Sequence, residues 1–163
     1  MLQEPLLKTA ERTRKLIEGM EHLPSAPESA GRILSVATAE FPDFQELVSS
    51  IEADPAVSIR VLRLANSAGF NRAEHVDDIR QAAMLLGTDT LCTVALCVSV
   101  REGLFAAFAD GDAVVKEFWR HSLACACAAK LLAGYVRPRM AGTAFAAGLI
   151  HDCGKLALLT AGG

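Results

Sequence analysis

The chain lacks any apolar stretch long enough to cross a bilayer. Its most apolar window, Leu91 to Val100, is ten residues long and contains Thr93 and Ser99, where a spanning helix needs about 20. The opening MLQEPLLKTAERTRK alternates charged with apolar residues, so it offers no unbroken apolar core for a signal sequence. A basic excess is missing too: 16 Lys and Arg stand against 19 Asp and Glu, for a net charge of -3. A protein held on nucleic acid by phosphate contacts usually shows the opposite balance. The expectation is a cytoplasmic protein that binds neither membrane nor nucleic acid.

Low-complexity stretches, internal repeats and long linkers are also absent. With 52% hydrophobic and 21% charged residues, disorder is excluded. A length of 163 residues corresponds to one domain able to bury a core without staples. The five cysteines, Cys92, Cys97, Cys125, Cys127 and Cys153, are odd in number and lie inside apolar runs. They read as reduced, buried thiols. Their CxxxxC and CxC spacings match neither a zinc knuckle nor a redox pair.

Strict strand alternation is hard to find, whereas apolar residues recur at helical spacing almost throughout. Leu6, Ala10, Thr13, Ile17 and Met20 form one stripe, and Ala30, Ile33, Leu34 and Ala37 the next. Asp43 with Glu46 has the capping-box pattern ahead of Phe44, Leu47, Val48 and Ile51. Asp54-Pro55 supplies an N-cap with proline at the first helical position, before Val57, Val61, Leu64 and Ala68. A polar loop over Asn71–Asp78 leads to Ile79, Ala82, Ala83 and Leu86, and then to Leu91, Val94, Ala95 and Val98. A long helix is predicted from around Asp110–Asp112 to Gly134, stopped before Pro138. The fold expected is all-α, a compact multi-helix bundle of about seven or eight helices.

Two places put polar residues on apolar stripes. His121 falls in line with Val114, Phe118, Cys125, Ala128 and Leu132, so it is predicted to point inward. Asp152 falls in line with Phe145, Leu149, Leu156 and Leu159 if a helix runs through Gly154, with His151 beside it above Ala144 and Gly148. A buried acid and two inward imidazoles are costly unless they pair or bind something. Two imidazoles and one carboxylate form a part-set for a divalent metal with open positions. The other reading is a closed hydrogen-bond network in which Asp152 accepts from an imidazole and a capping amide.

The string HDCGK, His151 to Lys155, closes an apolar AGLI run and resembles the HD superfamily of metal-dependent phosphohydrolases. The order of motifs resembles the HDOD domain, a bacterial signalling relative of the HD-GYP phosphodiesterases. Those motifs are LPSAP at Leu23–Pro27, IEADPAVSIRVLRLANSAGF at Ile51–Phe70, IRQAAMLLG at Ile79–Gly87, WRHS at Trp119–Ser122 and FAAGLIHDCGKLAL at Phe145–Leu158. Several motifs in order are specific where HD alone is weak. The resemblance implies a helical extension over 1–22 and an HDOD-like domain over 23–163.

By the same resemblance, His121 matches the first metal ligand of active HD enzymes, and His151 with Asp152 the pair. A later aspartate would complete the set from a helix beyond Gly163, so the domain is expected to be incomplete at its C-terminal side. The GYP motif is absent, since Gly134-Tyr135-Val136 precedes the HD pair. Lys155 matches a residue that contacts phosphate in HD hydrolases, although a solvated helix-end lysine explains it equally simply. Arg60 and Arg63 are expected to pair with nearby acids, Asn66 and Gly69 to end a helix, and Trp119 to anchor core.

The function expected is a non-catalytic bacterial signalling module that contacts signalling proteins, a small ligand or a second copy of its own chain, without a cofactor. The alternatives are a metal-dependent phosphohydrolase of nucleotides or cyclic dinucleotides, holding a divalent ion, and a plain helical scaffold.

Overall fold

The computed structural model describes residues 14, 28–69, 75–106, 108 and 112–161. The expected helix over 1–22 (apart from Arg14), the LPSAP segment and part of the Asn71–Asp78 loop lie outside them. Every regular element among the described residues is helical. In order these are α1 Glu28–Thr38, α2 Phe44–Glu52, α3 Pro55–Ala65, α4 Ile79–Leu86, α5 Thr88–Leu104, α6 Ala113–Val136, a 3₁₀ turn Pro138–Met140, α7 Ala141–Ile150 and α8 Cys153–Ala161.

Local chemistry sets where these helices begin. Asp43 accepts hydrogen bonds from the amides of Gln45 and Glu46 and opens α2. Asp54 accepts from Ala56 and Val57 ahead of Pro55 and opens α3. Asp78 does the same for α4 through Gln81, and Asp112 for α6 through Val114 and Val115. Each carboxylate satisfies amides that lack an intrahelical partner and sits at the positive end of the helix dipole. Asn66, after α3, donates to Leu62 O and Val76 O and accepts from Val76 N, fastening the start of the α4 segment to the end of α3.

Gly87, at φ +78°, joins α4 to α5 through a bend of 119°. Leu91, Cys92, Ala95, Leu96, Ser99 and Val100 of α5 are all buried, because α1, α2, α3, α4 and α7 pack around it. No single helix among the described residues is long and apolar enough to cross a membrane. Fully buried Ile33, Leu47, Val48, Ile51, Val57, Val61 and Leu91 form the centre of the core. Phe105 closes one end of it, with the Trp119 ring edge-on at 5.0 Å and Phe118 at 5.7 Å.

Helix α7 lies between α6 and α1, and two glycines permit this. A Cβ on Gly148 would stand 2.7 Å from Ala126 Cα, and one on Gly142 would stand 2.0 Å from Ala37 O. Lys130 adds a polar tie from α6 to α5, reaching both Asp89 oxygens at 2.7 and 2.8 Å and Thr93 Oγ1 at 2.7 Å.

The structure corrects four expectations. The buried stripe of α6 is Val115, Ser122 and Ala126, so Val114 and Leu132 are exposed and His121 faces outward. Apolar periodicity misplaces this register because the true inner face carries serine and alanine at its centre. On α3, Ala65 takes the inward place expected of Ala68. The last helix does not run through from Phe145: it breaks at His151-Asp152 and restarts at Cys153, leaving Leu159 exposed. The long helix also outruns Gly134 by two residues and ends at Val136.

Candidate functional site

His121 and Cys125 are one turn apart on α6 and therefore project from the same face. His151 and Asp152 form the turn between α7 and α8, and Lys155 lies in the first turn of α8. The close approach of Gly148 to Ala126 draws this turn against α6, so the His121 and His151 ring centroids are 5.4 Å apart. Asp152 Oδ2 lies 3.3 Å from His151 Nε2, 3.6 Å from His121 Nε2 and 2.5 Å from Lys155 Nζ. His121 Nε2 is also 3.6 Å from Cys125 Sγ. His151 Nδ1 donates to Gly148 O at 2.8 Å, so Nε2, which faces Asp152, is the ring nitrogen that could ligate a metal.

The cluster sits at the surface. The His121 side chain is 53% exposed and that of Asp152 22%, which corrects the expectation of a buried acid beneath inward imidazoles. The Lys155 ammonium holds the Asp152 carboxyl below the usual carboxylate range, and the two imidazoles add to this while partial burial opposes it. An anion immediately before the first turn of α8 is also favoured by that helix dipole.

The HDOD domain family model matches residues 23–162. The chain belongs to the HDOD family. Among solved structures, it is 28% identical to an HDOD domain protein with unknown function from Geobacter sulfurreducens, at a TM-score of 0.72 over 90% of this chain and 48% of that one. A protein of Marinobacter aquaeolei VT8, provisionally assigned to signal transduction, is 27% identical with a TM-score of 0.66, over 85% of this chain and 31% of that one. A protein of Shewanella amazonensis SB2B, provisionally assigned as a metal-dependent phosphohydrolase, is 27% identical with a TM-score of 0.55, over 98% and 59% of the two chains. The chain thus spans less than two thirds of the length of each. No curated protein matches it.

In this HDOD domain the three residues expected as a metal part-set do come together. They do not fit a hard divalent ion as arranged. The oxygen of Asp152 that faces both imidazoles carries the Lys155 ammonium at 2.5 Å, and an ion bound there would have to displace it. The Lys155 side chain is 61% exposed at the start of α8, and its ammonium pairs with the site's carboxylate.

The thiols divide into distinct environments. Cys92 is buried, Cys97 and Cys125 are half-buried, and Cys127 and Cys153 are exposed, which corrects the expectation that all five are buried. Burial pushes the Cys97 thiol up to about 12, with Cys127 adding to it, and the Cys92 thiol up to about 11, with Asp89 adding to it. Cys125 is the site residue that sequence reasoning missed. Its signal is a plain one, because it stands four residues after His121 on the same face. Arg60 behaves as expected and pairs with Glu102 at 2.6 Å.

Proposed function

We propose that this HDOD domain is a non-catalytic, cytoplasmic signal-transduction module that works through contacts with signalling proteins or with a second copy of its chain. The observation that carries this reading is the Lys155–Asp152 pair. A carboxylate balanced by an ammonium needs no ion for its stability, and it offers a hard cation little net charge. Contact with partners is supported by the far end of α6, where Leu131, Leu132, Tyr135 and Val136 stand in solvent. Exposed apolar surface of this kind is typical of protein interaction sites.

The second reading, a metal-dependent phosphohydrolase, has the convergence of His121, His151 and Asp152 in its favour, together with the Shewanella relative. The two separate in one assay. Hydrolysis of cyclic dinucleotides, nucleotides and generic phosphodiesters is measured with Mn²⁺, Mg²⁺, Ni²⁺ or Fe²⁺ supplied, for the parent and for Asp152→Ala. Background rates in both are expected. Metal-dependent turnover in the parent that vanishes in the variant would replace the signalling reading with the hydrolase.

A further inference from the structure

The side chains around His121 contain a second donor set that leaves Asp152 out. His121, Cys125 and His151 each offer one ligand atom, and these atoms lie within 4.8 Å of one another. We propose that they form a binding site for a borderline transition-metal cation of the zinc class, with one thiolate, two imidazoles and a water as ligands. This inference stands on its own geometry and does not depend on the signalling reading.

Three independent features support it. Zinc–sulfur and zinc–nitrogen bonds of roughly 2.3 and 2.0–2.1 Å, at a tetrahedral angle, place the two donors about 3.6 Å apart. Cys125 Sγ and His121 Nε2 stand at 3.6 Å, so this pair already has the spacing of a tetrahedral edge. The bond from His151 Nδ1 to Gly148 O fixes the tautomer whose Nε2 can ligate, the support that ligating histidines ordinarily have. Third, the Asp152 carboxylate beside the two Nε2 atoms, at 3.3 and 3.6 Å, is already paired with the Lys155 ammonium, so the negative charge among the ligands comes from the thiolate. The three donor atoms already lie within 4.8 Å of one another, so the remaining edges close by a joint shift of the His121 and Cys125 side chains toward His151, which keeps its bond to Gly148 O.

The donor chemistry selects the ion. A thiolate with two imidazoles suits zinc and its tetrahedral analogue cobalt over magnesium or calcium, which prefer oxygen. Cysteine binds as thiolate, so its proton is released to solvent as the metal–sulfur bond forms.

The test is titration of the metal-free, reduced chain with Co²⁺, followed by its absorption spectrum, and then displacement by Zn²⁺. Expected are tetrahedral cobalt bands with a thiolate-to-cobalt charge-transfer band at one equivalent, all lost when Zn²⁺ is added. Cys125→Ser should remove the charge-transfer band and weaken binding beyond the roughly 10–100-fold that loss of a supporting outer partner costs. His121→Ala should also weaken binding, while Asp152→Ala should keep the band. In the parent, bound Zn²⁺ should protect Cys125 from iodoacetamide, as read by mass spectrometry, which answers the question even if Cys125→Ser misfolds. The proposal is overturned by absence of the charge-transfer band, by its survival in Cys125→Ser, by its dependence on Cys127 or Cys153, or by its loss in Asp152→Ala. Catalytic assays bear on none of these outcomes.

Discussion

Helices α1–α5 bury Ile33, Leu47, Ile51, Val57, Val61 and Leu91 completely, whereas the 24 residues of α6 bury Val115, Ser122 and Ala126. The first region is held by large side chains meeting around α5. The second also buries Phe145, Leu149 and Leu156, but small residues let α6, α7 and α1 approach closely, with Gly148 on Ala126 and Gly142 on the Ala37 carbonyl. A core of large side chains gains stability from the apolar area it buries. A contact of small residues gains less from area and more from position: it fixes where neighbouring side chains stand. In this chain the close contact sets His151 against His121, so the functional candidates lie in the second region.

The two regions should differ most in what a truncated leucine costs. Leu91→Ala, at the centre of α5, should destabilise the domain by about 2–5 kcal/mol through lost transfer energy and the cavity left behind. Leu132→Ala on α6, where the side chain is 65% exposed, should stay within about 0.5 kcal/mol of the parent. Urea denaturation of both variants measures this. A cost for Leu132→Ala approaching that of Leu91→Ala would mean that α6 is covered by something, such as a second copy of the chain.

Close approach is next in size. Gly148→Ala puts a methyl group 2.7–2.9 Å from backbone atoms of Ala126 and Cys125. Backbone cannot turn aside as a side chain can, so a loss at or above the roughly 1–3 kcal/mol of an overpacked core is expected. Gly154→Ala meets no atom within 4 Å and lies inside α8, where alanine is favoured over glycine by up to about 1 kcal/mol. The thermal midpoints should therefore move in opposite directions. If Gly148→Ala also separates the imidazoles, it should weaken cobalt binding in parallel with the loss of stability.

The difference between the regions also explains what is legible in the sequence. Ile79, Ala82, Ala83 and Leu86 can be read directly, because each is apolar, correctly spaced and buried. The Asp43 and Asp54 caps are legible for the same local reason. On α6 the periodic signal points to the wrong face: Val114 and Leu132 are large and apolar but exposed, while Ser122 is polar and buried. Hydrophobic periodicity weights large residues, and a surface built on alanine, serine and glycine gives it little to weigh. The residues of the candidate site are identifiable from sequence, yet their exposure and the roles of Cys125 and Lys155 depend on helix rotation and on the break at His151-Asp152.

A smaller effect distinguishes the regions by pH. Buried Ser29 on α1 donates a 2.6 Å hydrogen bond to Asp54 Oδ2. That bond and the amides of Val57 and Ala56 hold the Asp54 carboxyl below its ordinary value, with burial opposing. A depressed folded value means the contribution is fully present above the unfolded carboxylate pKa of about 3.9 and is lost as pH falls through the folded value. Ser29→Ala should cost about 1.5 kcal/mol at neutral pH, the low end for a bond to a charged acceptor, since the bond is only partly buried. Urea midpoints of parent and variant should keep a constant gap from about pH 5 to 8, as the titration range requires, and converge below about pH 4. A gap independent of pH down to acid conditions would rule out the Asp54 carboxylate as its source.

The smallest expected effect comes from the same substitution in the other region. Ser122 is 1% exposed at the centre of the buried face of α6, and its hydroxyl has no hydrogen-bond partner among the described residues. Burying a hydroxyl without compensation costs free energy, and its removal leaves no stranded partner behind. The cavity made by deleting one oxygen is small, and alanine is the better helix former. The first and last of these effects stabilise and the small cavity opposes them weakly, so Ser122→Ala should leave stability unchanged or raise it by up to about 1 kcal/mol, opposite in sign to Ser29→Ala. Paired urea denaturations at neutral pH measure both. A loss above about 1 kcal/mol for Ser122→Ala would show that its hydroxyl has a partner in solution, the scale of a hydrogen bond broken on one side. A bound water beneath His121 would be the first candidate, and the inner face of α6 would then be held by polar contacts as well as by close packing.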